Sequence, residues 1–429
     1  MEVINTSSTK DISQKLKRPA IDNDYLTGAV NNILQRVKSS GDKAIIELTE
    51  QFDKISLKDL KVSPQEIEQA TSLVNNELKQ AINVAKQNIE KFHKAQARNS
   101  EKIETMPGVT CWRKSVPIQK VGLYIPGGSA PLFSTVLMLG IPASIAGCKE
   151  VILCTPPDKN GKIDPAILYT AQLVGITSIF KVGGAQAIAA MAYGTESILK
   201  VDKIFGPGNQ YVTKAKQLVN MEGIAIDMPA GPSEVAVIAD ESADASFIAA
   251  DLLSQAEHGE DSQVVLICNS EKTVNDVLRQ IENQVTLLPR VEVAKKCLNQ
   301  SKAVITQSIE ESIKISNDYA PEHLIINTNN AEELATQITQ AGSVFIGAYT
   351  PESAGDYASG TNHTLPTNGA ARAYSGVSLD SFVKEITFQK ITSNGIQNLG
   401  PTVEIMAEAE QLIAHKNAVT IRLNKLKKQ

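Results

Sequence analysis

Val121-Gly-Leu-Tyr124 is a short apolar run that enters the turn Ile125-Pro-Gly-Gly-Ser129, passes through a helix-patterned segment over 131–146 and leads to a second run, Val151-Ile-Leu-Cys154. Two strand-length runs joined through a helix do not close as a hairpin; they read as parallel neighbours linked by a crossover. The alternation continues through Ile179-Phe-Lys-Val182, a helical segment over 186–193, and Lys203-Ile-Phe205. A second series follows in Val235-Ala-Val-Ile238, Val264-Val-Leu-Ile267, Ala303-Val-Ile305, Leu324-Ile-Ile326 and Val344-Phe-Ile346. Strands alternating with helices predict an α/β protein with parallel, doubly wound sheets covered on both faces. The series echo each other: Ile125-Pro-Gly-Gly-Ser129, a helix and Val151–Cys154 match Met228-Pro-Ala-Gly-Pro-Ser233, a helix and Val264–Cys268, a hint of duplication.

Outward from this core the texture changes. The first hundred residues carry Ile45, Ile46, Leu48 and Phe52, then Leu73, Val74, Leu78, Ile82, Val84 and Ile89, at helical spacing among polar residues. They predict amphipathic helices and no strand before about Val109, with His93 on a surface face. Beyond Ala373 a Gly/Ser-rich stretch, one strand-like run, Ile386-Thr-Phe-Gln-Lys-Ile391, and a helical tail from about Thr402 suggest a separate small module.

Composition narrows the function. The 429 residues carry a formal net charge of −5, with the only basic cluster at Lys425, Lys427 and Lys428, so nothing builds a nucleic-acid groove. No apolar stretch has the length of a signal or a membrane span, which gives the expectation of a cytoplasmic protein. Five cysteines without a CxxC pair suggest neither a disulfide framework nor a thiolate zinc site.

The histidines point elsewhere. Four of the five sit beside oxygen-bearing side chains: Gln255-Ala-Glu-His258, Glu322-His323, Asp356 with His363, and Glu410 with His415. If the fold gathers these stretches, they provide nitrogen and oxygen donors for a borderline metal ion, plus a carboxylate and an imidazole for proton transfer. Gln255 and His258 are three apart near the end of a helix that starts after Asp240-Glu-Ser242, so both can grip one ion; a bare helix end with an exposed His is the alternative. Glu322 and His323 are adjacent and point to opposite faces of an extended chain, so both reach one site only if Pro321 bends the backbone. The stretch from Ala354 to Thr367 reads as a long polar loop, in which Asp356 can complete a metal set and His363 can bind substrate. The glycine turns at Pro126-Gly-Gly-Ser129, Val182-Gly-Gly-Ala-Gln186 and Gly206-Pro-Gly-Asn209 follow strands and precede helices, where free N–H groups suit a pyrophosphate, although none is a G-x-G-x-x-G fingerprint.

Read together and in order, Val121-Gly-Leu-Tyr-Ile-Pro-Gly-Gly, Val182-Gly-Gly-Ala-Gln-Ala-Ile, Phe205-Gly-Pro-Gly-Asn, Ala230-Gly-Pro-Ser-Glu, Ser254-Gln-Ala-Glu-His-Gly, Ala320-Pro-Glu-His-Leu and Gly360-Thr-Asn-His-Thr-Leu-Pro-Thr resemble the signatures of the histidinol dehydrogenase family. The resemblance spans nearly the whole chain. It implies two atypical Rossmann-like α/β domains with a helical N-terminal region: an extension at 1–21 belonging to a small dimerisation module, a first domain from 22–122 and 234–373, an NAD-binding domain at 123–233, and a small module at 374–429 that reaches into the partner subunit of a homodimer.

The implied activity is oxidation of L-histidinol to L-histidine through histidinal at one site, with two NAD reduced. One zinc per subunit would be held by Gln255, His258, Asp356 and His415. Ser233, His363 and Glu410 would complete a substrate pocket that the zinc ligands and His323 also line, and Tyr124, Gln186 and Asn209 would contact NAD. His323, with an ordinary pKa near ~6.5, is the expected base for the hydroxyl proton, and Glu322 the carboxylate that activates water on the aldehyde. Competing readings are oxidation of another amino or hydroxy alcohol on the same scaffold, a zinc hydrolase in which Glu322 is the general base, and a non-catalytic binding protein with a structural metal.

Overall fold

The computed structural model describes residues 1–9, 11–18, 23–127, 130–228 and 231–428. Among them the strands are β1 (Glu2–Asn5), β2 (Lys102–Met106), β3 (Val109–Pro117), β4 (Lys120–Tyr124), β5 (Glu150–Thr155), β6 (Ser178–Lys181), β7 (Lys203–Phe205), β8 (Ala225–Ile226), β9 (Glu234–Ala239), β10 (Gln263–Cys268), β11 (Lys302–Ile305), β12 (His323–Asn327), β13 (Ser343–Ile346) and β14 (Val383–Ile391). They form a five-stranded sheet ordered β6-β5-β4-β7-β8, a six-stranded sheet ordered β1-β11-β10-β9-β12-β13, and a three-stranded sheet β14-β3-β2. The first two are parallel throughout. Numbered within each series, both wind as 3-2-1-4-5, so the winding reverses direction between β4 and β7 and again between β9 and β12. The α/β doubly wound reading holds, and the motif echo acquires a topological counterpart.

The runs are apolar at consecutive positions because both faces are covered. Val235, Val237, Val264 and Leu266 pack into one core while Ala236, Ile238, Val265 and Ile267 pack into another on the opposite face. In the five-stranded sheet, Tyr124, Ile152 and Ile204 face one core, and Val121, Leu123 and Phe205 the other.

The N-terminal region departs from expectation in three ways. Two strands precede Val109: β1 is a four-residue edge partner of β11, and β2 is exposed along most of its length, so neither carries an apolar alternation to read. The helices also pack differently from the division that placed 22–122 with 234–373. Leu26, Val30, Leu34, Ile45 and Leu48 bury against the five-stranded sheet, as do Ile82, Ala85 and Ile89 on its other face, whereas β1 belongs to the six-stranded sheet. Finally, His93 is buried, not on the surface. It extends the stripe Ile82, Ala85, Ile89 by one turn, and its Nδ1 donates to the Ile89 carbonyl at 2.9 Å.

The C-terminal part comprises β14, paired antiparallel with β3, and the helices Ser393–Ala409 and Ile413–Leu426. It is pinned to the five-stranded sheet by Phe382, whose ring stacks on Phe205 at a 4.0 Å centroid separation, both fully buried. The Ile118 N–H donates to the Phe382 carbonyl at 2.9 Å beside it. Phe382→Ala removes a buried ring from a packed site and is expected to cost about 3–5 kcal/mol. Denaturant unfolding measures it; a loss below about 1 kcal/mol would show that the stack does not hold the module. No helix of the described residues is long and apolar enough to cross a membrane.

Candidate active site

One large cavity, about 1060 Å³, lies where the two parallel sheets meet. Gly206 to Gln210 and Asp227 reach it from the carboxyl side of the five-stranded sheet, at its switch point, the usual place for a ligand in a doubly wound sheet. The six-stranded sheet contributes its opposite end: Ser233, Glu234, Glu322 and His323 line the cavity at the amino ends of β9 and β12.

The bend required of Pro321 is present. Helix Ile309–Tyr319 ends on Ala320 in the left-handed region (φ 52°), a conformation that closes a helix, and Pro321 directly after it cannot continue one. Glu322 therefore stands outside the strand and His323 begins it, and both side chains reach one residue, Glu234. The Glu322 carboxylate accepts from the Glu234 N–H at 2.9 Å, and His323 Nδ1 lies 3.0 Å from the Glu234 carbonyl oxygen. A carbonyl only accepts, so Nδ1 carries a proton and Nε2 is left as the working nitrogen. Nε2 is buried, without a hydrogen-bond partner among the described residues, 3.4 Å from Asp356 Oδ1.

Charge in this cluster differs from the sequence reading. Burial pushes the Glu322 carboxyl up to about 8, against the pull of His323. Burial also disfavours the charged form of His323, but Glu352, Glu322 and Asp356 around it outweigh that and hold its pKa well above the ordinary imidazole value. His323 is thus a proton-rich base, not one poised at 6.5.

Gln255 lies in the last turn of helix Ala245–Ala256, capped by Asp244, and His258 follows the helix end by a further turn, its N–H donating to the Gln255 carbonyl at 3.2 Å. The Gln255 amide is buried, and neither Oε1 nor Nε2 has a hydrogen-bond partner among the described residues. His258 reaches the cavity solvent, yet the protein packed around it lowers its pKa and keeps the ring neutral despite Asp356. Asp356 sits not on a loop but on the short helix Glu352–Tyr357. Burial pushes its carboxyl up; His323 and the flanking imidazoles of His363 and His258 prevail and hold it below the ordinary value.

The helix also brings in a residue that sequence reasoning missed. Glu352, one turn before Asp356, is 1% exposed, has an Oε2 without a partner among the described residues, and lies 3.7 Å from His323 Nδ1. Burial pushes its carboxyl up to about 8. Ligand atoms of His323, Glu352 and Asp356 lie within 4.8 Å of one another. The signal was the i, i+4 carboxylate spacing in Pro351-Glu-Ser-Ala-Gly-Asp356, hidden by reading the stretch as a loop.

The other expected residues divide. His363 lines the cavity with Nδ1 donating to the Asp356 carbonyl at 2.8 Å and Nε2 3.0 Å from the Thr135 hydroxyl, and burial lowers its pKa. Asn209 lines it too, capping helix Gln210–Met221 through Tyr211 and Val212 N–H groups. Tyr124 and Gln186 are buried and do not line the cavity; the Tyr124 hydroxyl accepts from Gly184 N–H at 3.1 Å. Part of two quoted motifs, residues 128–129 and 230, lies outside the described residues. Glu410, in the turn after helix Ser393–Ala409, and His415, on helix Ile413–Leu426, are exposed and do not line this cavity.

Two parallel sheets wound alike, with carboxylates, imidazoles and a buried amide lining the cavity between them, define an α/β enzyme with a polar, cation-compatible centre. The family profile described as histidinol dehydrogenase matches residues 16–423. A histidinol dehydrogenase from Bacteroides thetaiotaomicron is 59% identical over the full length of both chains, and one from Haemophilus influenzae is 55% identical over 98% of each. The crystal structure of histidinol dehydrogenase from Elizabethkingia anophelis superposes with a TM-score of 0.96 at 58% identity, covering 100% of this chain and 99% of that one. The chain belongs to the histidinol dehydrogenase family, and it is an oxidoreductase.

Proposed function

We propose that this chain oxidises L-histidinol to L-histidine through L-histidinal, reducing two NAD, as a cytoplasmic homodimer with one zinc per subunit. The observation that carries the reading is the convergence of Glu322 and His323 on Glu234 beside the unpartnered Gln255 amide. A buried amide with neither atom satisfied is costly unless a ligand fills the gap. Gln255, His258 and Asp356 are the nitrogen and oxygen donors a borderline cation takes, and His415 from a second copy would complete four. When bound, zinc supplies a fixed Lewis acid that anchors the substrate's nitrogen donors.

The chain's own groups do the proton work. His323 Nε2 takes the hydroxyl proton as hydride leaves the carbinol carbon for NAD, giving aldehyde and NADH. Glu322 then takes a proton from water as its oxygen adds to the aldehyde carbon, a second hydride leaves for a second NAD to give the carboxylic acid, and that acid releases its remaining proton to solvent as the carboxylate. Ser233 and His363, with Glu410 from the second copy, hold the substrate, and Asn209, Tyr124 and Gln186 form the NAD side, at the switch point of the five-stranded sheet. The C-terminal helices support the shared site: Ile405, Met406, Ile413 and Ile421 are exposed apolar residues that a partner would cover.

The test is NADH yield from purified protein with L-histidinol, before and after chelation and with zinc restored. Two NADH per histidinol, lost on chelation and recovered with zinc, are expected. NADH from a different alcohol alone would place the pocket elsewhere in substrate space, and no NADH from any alcohol would remove the dehydrogenase reading.

A further inference from the structure

Both proposed catalytic side chains hang on the main chain of a single residue, so what fixes Glu234 fixes them. Its own carboxylate is 2–3% exposed and is gripped by Arg18: Nε and Nη2 donate to the two carboxylate oxygens at 2.5 and 2.7 Å, a two-pronged ion pair. Asn368 N–H adds a third donor at 2.8 Å. The same guanidinium lies over the Tyr319 ring at 4.0 Å, and its Nη2 donates to the Tyr319 carbonyl at 3.0 Å, at the left-handed corner that delivers Glu322 and His323. Arg18 thus ties the start of β9 to the start of β12. Its segment is seated independently: Leu16 is buried in the core beneath the six-stranded sheet, and the Lys17 carbonyl accepts from Gln263 Nε2 at 3.4 Å.

We propose that Arg18, acting through Glu234, is a positioning residue that holds Glu322 and His323 in register with each other. This rests on the reading of those two residues as the catalytic pair. The brace spans three stretches far apart in sequence, and no motif marks Arg18. Its geometry suits guanidinium alone, since a lysine ammonium can reach Glu234 or the Tyr319 carbonyl but cannot present a planar fork to the first while bonding the second.

The test uses Arg18→Met, Arg18→Lys, Glu234→Gln and the Arg18→Met/Glu234→Gln double variant in the zinc-loaded enzyme, with kcat and KM for L-histidinol and the melting temperature of each. A small displacement of acting groups costs up to about 100-fold, so Arg18→Met is expected to lower kcat by about 10- to 100-fold with KM within about twofold. Arg18→Lys should recover part of the loss. The double variant should be no slower than the worse single, because each change breaks the same brace. If Arg18→Met does not fold, Arg18→Lys and Glu234→Gln carry the comparison. Unchanged kcat in folded variants, losses that multiply, or a rise in KM with kcat intact would each overturn the brace, the last by making Arg18 a substrate contact. Failure of the underlying reading is separate: the unmodified enzyme would then give no NADH from histidinol.

Discussion

Glu322→Gln is expected to turn a four-electron oxidation into a two-electron one. The substitution keeps size and shape, and the amide oxygen can still accept the Glu234 N–H that the carboxylate accepts at 2.9 Å, so the loop and His323 stay in place. What is lost is a group that can take up a proton. In the proposed mechanism the first hydride transfer needs only the hydroxyl proton to go to His323, whereas the second needs water added to the aldehyde, and an amide takes no proton from water. A positioned general base is worth roughly 10²–10⁴-fold, so the second NADH should slow by that factor while the first persists, and histidinal should accumulate. Two NADH per histidinol at an undiminished rate would take Glu322 out of the mechanism. The unmodified enzyme carries a related signature: with the Glu322 carboxyl pushed up to about 8 by burial and His323 raised by its carboxylate neighbours, the acting base forms are minority species at neutral pH. Both groups must be deprotonated to act, so the rate should climb with pH through neutrality, by up to about tenfold per unit for each group still in its acid form.

The elements whose apolar runs are buried on both faces were legible in the sequence, because a parallel sheet writes itself as continuous β-branched runs; β4, β5, β9, β10 and β12 differ from their sequence readings by a residue or so at each end. The exposed strand β2 and the edge strand β1 were not, because β2 has no buried face to impose a pattern and β1 pairs only at an edge. Three of the four histidine-carboxylate stretches line the cavity and the fourth, Glu410 with His415, does not; their charge state was not readable, since the pKa of His323 depends on Glu352, which comes close only once the segment 352–357 coils. Packing of the N-terminal helices on the five-stranded sheet was likewise invisible, since amphipathic spacing shows that a face is buried and not which sheet buries it. Arg18 was missed for the same reason, as its partners are 216 and 301 positions away.

Two inactive variants are expected to make an active enzyme together. Gln255, His258 and Asp356 sit at the cavity, while His415 and Glu410 are exposed on a module that does not line it. If a second copy supplies these two residues, each site of a two-fold dimer is built from both chains. Asp356→Ala and His415→Ala should each lose the metal set, with activity falling by roughly 10²-fold or more, as expected when zinc coordination fails. In a mixed dimer, one site pairs the altered Asp356 position with the altered His415 position and is dead; the other pairs the intact Asp356 of one chain with the intact His415 of the other. Co-expressed chains carrying different affinity tags, purified through both, should therefore regain about half the activity of the unmodified dimer and bind about one zinc per dimer. Were His415 to fold back into its own chain's site, both sites of the mixed dimer would carry one defect each and no activity would return. The metal count distinguishes this from a dimer that fails to assemble, since doubly tagged protein is mixed by construction. A monomeric enzyme would yield no doubly tagged protein at all, and with it the shared site would be excluded.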